Sequence, residues 1–189
     1  LLIDLARRTV AEGPDAKARY LLDLMRRLQR EEADPSLKLL VFTQFRSTQE
    51  MLIDLLGQAG IECSAIHGEM DLEERKMAQD EFEHTNRVLV STDAGGEGIN
   101  LQFAHVVVNY DLPWNPMRVE QRIGRVDRIG QQHTVRAFNL VLENSIDERV
   151  VTLFEAKLAT ILAQLGAGKR DDVLETIGSN RTLEAMYIS

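Results

Sequence analysis

Short apolar runs alternate with segments of helical spacing along most of this chain, and this alternation constrains the fold more than any other feature. Strict succession of strand and helix is typical of a mainly parallel sheet with right-handed crossover connections. We therefore predict a doubly wound α/β fold with flanking N- and C-terminal helices. The predicted strands are 38–45, 61–66, 87–91, 105–109 and 134–142, and the predicted helices are 16–31, 47–59, 71–84, 116–129 and 146–165.

Two breaks in this pattern divide the chain. The turn-forming stretch 33–36 precedes the first strand, and the pattern weakens beyond Gly166. We therefore expect a helical lead-in (1–37), a central lobe (38–165) and a C-terminal extension (166–189), with 181–189 partly disordered. The length is sufficient for one domain that buries on the order of 70% of its unfolded surface. The first residues contain neither an initiator methionine nor a signal peptide, so we expect a piece of a larger protein.

Composition excludes several classes of site. The single cysteine, Cys63, cannot form an internal disulfide or a cysteine-based metal site, and we predict no metal site in this chain. No apolar stretch reaches the roughly 18 residues that span a bilayer. We therefore expect a cytoplasmic protein with no membrane partner.

The net charge of −8 argues against tight nucleic-acid binding by this chain alone, because Lys and Arg supply most of the affinity for phosphates. The distribution of charge is uneven. Residues 69–83 are predominantly acidic and are most simply the solvated face of a helix, whereas residues 117–136 contain five arginines.

The arginine-rich stretch 121–131 predicts an anion site on one helix. Asn115 is a good N-cap, Pro116 suits the first helical position, and Gly130 can take the left-handed conformation that ends a helix. In that helix Gln121, Arg125 and Arg128 share one face. Three apolar residues are then free to dock on the core, and a close neighbour is expected against Gly124; the apolar residues are Ile123, Val126 and Ile129. The alternative is a solvated arginine face.

A glycine-rich loop, 92–101, follows the predicted strand 87–91. Ligands of parallel α/β sheets bind at the carboxyl ends of strands, and glycines let backbone amides approach phosphate oxygens. The strand 105–109 leads directly to the arginine helix, so both polar clusters are expected at one edge of the sheet. The loop alone is also compatible with a plain tight connection, and the convergence of the two clusters is what predicts a site.

Two single residues have mainly structural interpretations. Trp114 is expected to pack the arginine helix onto the sheet, with contact to a base or sugar as the alternative. His67 precedes Gly68, and it is expected to be a turn residue at the end of a strand rather than a ligand or a base.

Three motifs, in this order and spacing, resemble the second motor lobe of superfamily-two helicase-like ATPases, and most closely the Swi/Snf branch. The resemblance runs from about Lys38 to Leu158 and implies a RecA-like lobe. Glu97 and Asp127 depart from the usual pattern, and both are similar to the bacterial branch that includes the RNA-polymerase-recycling ATPase. The motifs are Gly98-Ile99-Asn100-Leu101, Trp114-Asn115-Pro116, and the Gln-x-x-x-Arg-x-x-Arg-x-Gly-Gln helix from Gln121 to Gln131.

This resemblance implies residue roles. Arg125 and Arg128 correspond to arginine fingers that act on the γ-phosphate of ATP. The implied nucleotide-contacting residues are Gln121, Gly96, Gly98 and Asn100, and the implied nucleic-acid-contacting residues are Thr43, Gln44, Ser91, Thr92 and Gly95.

The resemblance also implies partners. ATP and Mg²⁺ would be bound chiefly by an N-terminal RecA-like lobe of the same protein, because this chain contains neither a phosphate loop nor a magnesium-binding Asp-Glu pair. Double-stranded DNA is the implied track, and RNA polymerase or another nucleoprotein is a further implied partner. The chain alone is expected to be inactive.

Two other classes remain open at this stage. A complete small doubly wound enzyme could use the glycine loop for a nucleotide or cofactor, and it would be active as the isolated chain. A non-catalytic interaction module derived from a motor lobe could use its arginines to bind an acidic partner.

Overall fold

The structure is a computed structural model that describes residues 16–96, 98–145, 148–152 and 181–188. Residues 148–152 are helical. The other described elements, in chain order, are α1 (Ala16–Glu31), β1 (Leu39–Thr43), α2 (Arg46–Gln58), β2 (Cys63–Ile66), α3 (Leu72–His84), β3 (Val88–Thr92), β4 (Val106–Asn109), α4 (Pro116–Ile123), β5 (Val135–Leu142) and β6 (Arg181–Ile188).

The strands form one sheet in the order β2-β3-β1-β4-β5-β6. Every neighbouring pair is parallel, which confirms the predicted α/β class. The chain first builds β2 and β3 on one side of β1, and it then crosses to build β4 and β5 on the other side. The topological switch therefore lies beside β1, where ligands of doubly wound sheets bind.

Both faces of the sheet are covered, because successive residues of a strand point to opposite faces. Leu39 and Val41 of β1 join the core cluster that includes residues of α1 and α2. Leu40 and Phe42 join the opposite cluster, which includes residues of α3 and α4. All five residues of β1 are buried, as expected for a central parallel strand.

The lead-in helix α1 belongs to this packing. In its apolar stripe, Leu21, Leu24 and Leu28 are each at most 1% exposed. Near its start, Lys17 Nζ donates to the main-chain oxygen of Tyr110 at 3.1 Å. Just beyond its end, Glu32 Oε2 lies 2.7 Å from Nε2 of His105.

The predicted helix 116–129 is shorter than expected. Asn115 caps it by accepting from the amide of Met117, but the helix ends at Ile123 with Gly124 as the C-cap. Tight turns follow, because the amides of Arg125 and Val126 donate to carbonyls only three residues back. A glycine is a poor helix former, and the buried Val126 draws the chain into the core.

Two further expectations for this segment were therefore wrong. Ile129 does not dock on the core, since its side chain is fully exposed after the turns. Among the residues that the structure describes, no other element packs against Gly124, because a Cβ at this position would meet only the carbonyl oxygens of Glu120 and Gln121 in its own helix. Gly130 has the predicted left-handed conformation, with φ of 101°.

The C-terminal region forms a strand where partial disorder was expected. Residues 181–188, expected to be partly disordered, instead form β6, which pairs with β5 along its whole length. The unpaired edge of β5 offers a row of main-chain donors and acceptors that a further strand satisfies. Of the predicted helix 146–165, residues 148–152 are helical and the others lie outside the described residues, as do 166–180 and Ser189.

Candidate functional site

A cavity of about 180 Å³ opens at the carboxyl edge of the sheet, beside the switch point. It lies between the loop after β3 and helix α4, so the two polar clusters of the sequence do converge. Its lining residues are Phe42, Asp93, Ala94, Gly96, Arg118, Gln121, Arg122 and Arg125.

Two glycines of the loop are required by packing within the lobe. A Cβ on Gly95 would lie 2.5 Å from the main-chain nitrogen of His67, and a Cβ on Gly96 would lie 3.0 Å from the Phe42 ring. Gly98 differs, because its surroundings are open but its φ is 81°, a conformation that favours glycine. These glycines therefore allow the loop to fold tightly across the ends of β1 and β2. Glu97, between Gly96 and Gly98, lies outside the described residues.

An ion pair joins this loop to α4. Arg122 Nε donates to Asp93 Oδ1 at 2.6 Å, and the arginine side chain is only 3% exposed. Its Nη1 donates to Asn109 Oδ1 and to the main-chain oxygen of Asp111, each at 2.9 Å. The guanidinium carbon lies 5.3 Å from the centre of the Phe42 ring. Arg122 therefore connects the loops that follow β3 and β4.

The guanidinium of Arg122 is not fully satisfied. Its Nη2 atom is buried and has no hydrogen-bond partner among the described residues. A buried donor without a partner costs free energy, and such groups in native structures need an explanation. Arg122 is one of the residues that line the cavity, so the unpaired donor belongs to a side chain of the candidate site.

Three further side chains, those of Arg118, Gln121 and Arg125, line the cavity. Arg118 Nη1 donates to the second oxygen of Asp93 at 3.2 Å, and Arg118 is 55% exposed. Gln121 is exposed and Arg125 is half-buried. Among the lining residues three arginines face one aspartate, so the cavity carries a net positive charge and favours an anion.

Arg128 lies apart from these side chains. Its Nε donates to the main-chain oxygen of Gly124 at 3.2 Å, and its Nη2 donates to that of Ile99 at 3.3 Å. The shared face predicted for Gln121, Arg125 and Arg128 is not observed, because the helix ends before Arg125. The predicted catalytic role of Arg128 stays a prediction.

Asn100 also lies outside the cavity lining. It is exposed, and its Nδ2 donates to Oε1 of Gln102 at 3.2 Å. Gly96 and Gln121 do line the cavity, so the residues predicted to contact nucleotide are divided between two places.

Most residues predicted to contact nucleic acid have buried side chains. Thr43, Ser91 and Thr92 are at most 7% exposed, and Gly95 is buried as well. The Thr43 hydroxyl donates to the carboxylate of Asp111, and the Ser91 hydroxyl donates to the carbonyl of Thr92. Direct contact between these side chains and a ligand would require the lobe to rearrange, and their role stays a prediction.

Gln44 is the most accessible of that set. It is half-buried, and its Nε2 donates to the main-chain oxygen of Leu112 at 3.0 Å. This bond joins the loop after β1 to the loop after β4, next to two exposed aromatic residues, Phe45 at 58% and Trp114 at 61%. The expectation that Trp114 packs α4 onto the sheet is therefore wrong, and the alternative of ligand contact is compatible with its exposure.

His67 and Cys63 have surroundings that fit the structural roles predicted for them. His67 lies in the turn after β2, where its carbonyl accepts from the amide of Met70 at 3.2 Å. Cys63 is half-buried in β2, and burial raises the pKa of its thiol, so the unreactive protonated form is favoured. Within the described ranges, no group of three His, Cys, Asp or Glu side chains is placed to hold a metal ion.

Sequence reasoning missed Asp93, Arg118 and Arg122 as site residues. Two signals were available. Asp93 directly follows Thr92, the last residue of β3, at the edge where ligands bind. Arg118 and Arg122 are four residues apart on α4, so they share a face and can hold one carboxylate between them.

The fold and the site together define a RecA-like lobe of the kind found in helicase-like ATPases. Residues 16–130 match the family described as the helicase conserved C-terminal domain. The chain therefore belongs to this family, and its relatives place it with the Swi/Snf-type superfamily-two members, as predicted.

The chain is similar to several curated proteins. It is 36% identical over 92% of its length to the uncharacterized ATP-dependent helicase YqhH of Bacillus subtilis. It is 40% identical over 64% of its length to mouse SWI/SNF-related matrix-associated actin-dependent regulator of chromatin subfamily A member 1. It is 36% identical over 82% of its length to the RNA polymerase-associated protein RapA of Stutzerimonas stutzeri. The match spans 29%, 12% and 16% of these three proteins, respectively.

A solved structure supports the fold assignment. The C-terminal part of the Fun30 ATPase domain superposes with a TM-score of 0.63 and 27% identity, over 69% of this chain and 44% of that one. Among the helices of the described residues, none combines the length and apolar character that a membrane crossing requires.

Proposed function

We propose that this lobe is the C-terminal half of a two-lobe ATPase that translocates on double-stranded DNA. The observation that carries the proposal is the cavity at the switch point, where Arg118, Arg122 and Arg125 surround a volume of about 180 Å³. Guanidinium groups bind phosphate oxygens through paired, charge-assisted hydrogen bonds. The cavity therefore suits the phosphates of a nucleotide held between this lobe and another.

The division of labour follows from the residues present. No phosphate loop occurs in this sequence, and Asp80-Glu81 lies within helix α3 rather than at the end of a strand. A phosphate loop and a magnesium-binding Asp-Glu pair position the triphosphate and its Mg²⁺ in this kind of ATPase. An N-terminal lobe would supply them, and this lobe would supply Arg125 and Arg128 to the γ-phosphate. Mg²⁺, when bound, neutralises charge on the phosphate oxygens. Without the other lobe, this chain is inactive.

Motion would come from opening and closing of the two lobes. Arg125 is half-buried and lines the cavity beside the loop after β3, so a partner lobe that closes over this cavity would bring a bound phosphate toward it. Closure on ATP brings the arginines to the phosphates, and hydrolysis and release allow the lobes to separate. The exposed Trp114 and Phe45 at the same edge are candidates for contact with the nucleic acid.

The relatives suggest a working context for the whole protein. One is named an RNA polymerase-associated protein and another a regulator of chromatin. Double-stranded DNA is the substrate common to these settings, and RNA polymerase or another nucleoprotein is the proposed partner.

ATP hydrolysis by the full-length protein, measured with and without duplex DNA, tests the proposal. We expect turnover that duplex DNA stimulates, and none above background from the 189-residue chain. Turnover by the purified chain under rigorous contaminant controls would contradict the two-lobe assignment. A full-length protein without turnover that captures acidic proteins through the arginine cavity would favour a non-catalytic interaction module.

A further inference from the structure

The segment that carries Arg125 and Arg128 is held by contacts outside regular secondary structure. We call residues 124–131 the arginine segment and residues 98–104 the loop segment. The two lie side by side, and the amide of Leu101 donates to the carbonyl of Arg125 at 3.0 Å. α4 ends at Ile123, and helix-type hydrogen bonds reach only the first half of the arginine segment: the amide of Gly124 donates to the carbonyl of Glu120, and the amide of Asp127 donates to the carbonyl of Ile123.

The side chain of Gln131 contacts main-chain carbonyl groups of both segments. Its Nε2 lies 2.9 Å from the main-chain oxygen of Gln102, 3.0 Å from that of Ala104 and 3.0 Å from that of Val126. Its Oε1 accepts from the amide of His133 at 3.0 Å. The side chain is half-buried, so its hydrogen bonds are partly shielded from water.

This arrangement requires a neutral amide. A primary amide supplies two N–H donors on one atom, so two of the three carbonyl oxygens share a hydrogen, and it supplies an acceptor on the other atom for the amide of His133. A carboxylate would place negative charge against three carbonyl oxygens, and an apolar side chain would leave those oxygens without their donor.

Other contacts between the segments depend on the same alignment. Gln102 Nε2 donates to the main-chain oxygen of Ile129 at 2.8 Å, and Arg128 Nη2 donates to that of Ile99 at 3.3 Å. Gln131 follows directly after the left-handed Gly130, where the chain has the greatest conformational freedom to lose. It therefore closes the end of the arginine segment that is farthest from α4.

We propose that Gln131 is a positioning residue, which holds the arginine segment against the loop segment and thereby sets the place of Arg125 and Arg128 in the ATPase site. The inference rests on the proposed function. It predicts that Gln131 determines the rate of hydrolysis rather than the affinity for nucleotide, because a small misplacement of reacting groups costs up to about 100-fold in rate.

The test uses the full-length protein with Gln131→Glu and Gln131→Met, and Gln132→Glu as the matched control. Gln132 is the neighbouring residue, has the same chemistry and is exposed. Single-turnover hydrolysis, nucleotide affinity and thermal melting are measured for each variant. We expect both Gln131 variants to lose between about 10-fold and about 100-fold in hydrolysis rate, with affinity and melting close to those of Gln132→Glu.

A pH series adds a readout specific to the amide contacts. In Gln131→Glu, the introduced carboxyl can donate a hydrogen bond only when it is protonated. The rate of this variant, divided by that of Gln132→Glu, should therefore rise as the pH falls from 8 toward 6, whereas Gln131→Met should show no such rise. Hydrogen exchange of residues 98–104 should be faster in both variants than in the control.

The outcomes separate the two proposals. A wild-type protein without ATP turnover would refute the proposed function. Wild-type turnover with Gln131 variants that match Gln132→Glu would overturn the inference on Gln131 alone. Unfolding of both Gln131 variants at the assay temperature would also overturn it, because the residue would then serve stability and not the placement of the arginines.

Discussion

Arg122 Nε donates to Asp93 Oδ1 at 2.6 Å, which joins helix α4 to the loop that follows β3. The same carboxylate accepts from Arg118 at 3.2 Å, but Arg122 is 3% exposed whereas Arg118 is 55% exposed. Two arginines on one helix thus share one carboxylate, but one arginine is buried and the other is exposed to water. Their substitutions should have correspondingly different consequences.

Arg122→Ala should lower the free energy of unfolding by about 3 to 5 kcal/mol, because removing one partner leaves a carboxylate that is poorly solvated and has lost its closest cation. Arg118→Ala should cost less than about 1 kcal/mol, since water screens exposed ion pairs. Urea unfolding of the purified chain, followed by circular dichroism, measures both values. Equal losses in the two variants would contradict the assigned difference in burial.

Arg125→Ala and Arg128→Ala in the full-length protein should each abolish most ATP turnover while ATP binding and folding are retained. Arginine fingers contribute roughly 10³ to 10⁵ in rate, equivalent to about 4 to 7 kcal/mol. Lysine should rescue poorly, because it keeps the charge but loses the planar fork. The measurement is single-turnover hydrolysis with separate determination of nucleotide affinity.

The control for those variants is Arg30→Ala, an exposed position on α1 far along the chain from the site. Arg118 is unsuitable because it lines the cavity. Near-normal turnover in both finger variants would refute their assignment. Loss in Arg125→Ala alone would fit the observation that Arg128 lies outside the cavity lining and would restrict the finger role to Arg125.

Gly95→Ala should destabilise the lobe by about 1 to 3 kcal/mol, as other overpacked sites do. Its new Cβ would lie 2.5 Å from two main-chain atoms of His67, which cannot move aside as a flexible side chain can. Gly57→Ala is the matched control, because Gly57 has no atom within 4 Å of that position and lies in α2. It should stabilise by up to about 1 kcal/mol. Thermal melting of both variants decides whether the loop glycines are required by packing.

Duplex DNA should bind to this chain weakly, without sequence preference and with a steep dependence on salt. A chain of net charge −8 can neutralise few phosphates, and the affinity it does have comes from counterion release. Fluorescence anisotropy over a salt series measures this, with duplexes of unrelated sequence compared side by side. Tight binding that persists at high salt would indicate a dedicated DNA-reading module.

The sequence predicted β1 to β5, because local patterns determine these strands, but it missed β6 at residues 181–188. The run around Leu40 and Val41 is apolar throughout, and such runs are typical of strands buried on both faces. The helix 16–31 has the predicted bounds, since its apolar stripe and the break that follows are both local signals. The predicted end of α4 was wrong. Asn115 and Gly130 are favourable start and stop signals, but Gly124 lies between them and ends the helix earlier.

The site was only partly predictable because its main contacts join residues that are far apart in the sequence. Arg122 meets Asn109 and Asp93, which lie 13 and 29 residues away. When α4 is considered from the sequence alone, Arg122 falls on the apolar side of the helix. No sequence pattern indicates that a buried guanidinium with several partners lies at such a position. Arg125 lies at the cavity, whereas Arg128, predicted on the same face from a helical periodicity that stops too soon, lies apart from it.

Helix α1 covers one face of the sheet, and this has a practical consequence for recombinant expression. A truncated gene that starts at residue 38, where the first strand was predicted to begin, would remove Leu21, Leu24 and Leu28 from the core. The uncovered face would present a contiguous apolar patch, of the kind that drives aggregation. We therefore expect a soluble product only from a start site at or before residue 16, even though the three motifs that resemble the helicase family all lie downstream.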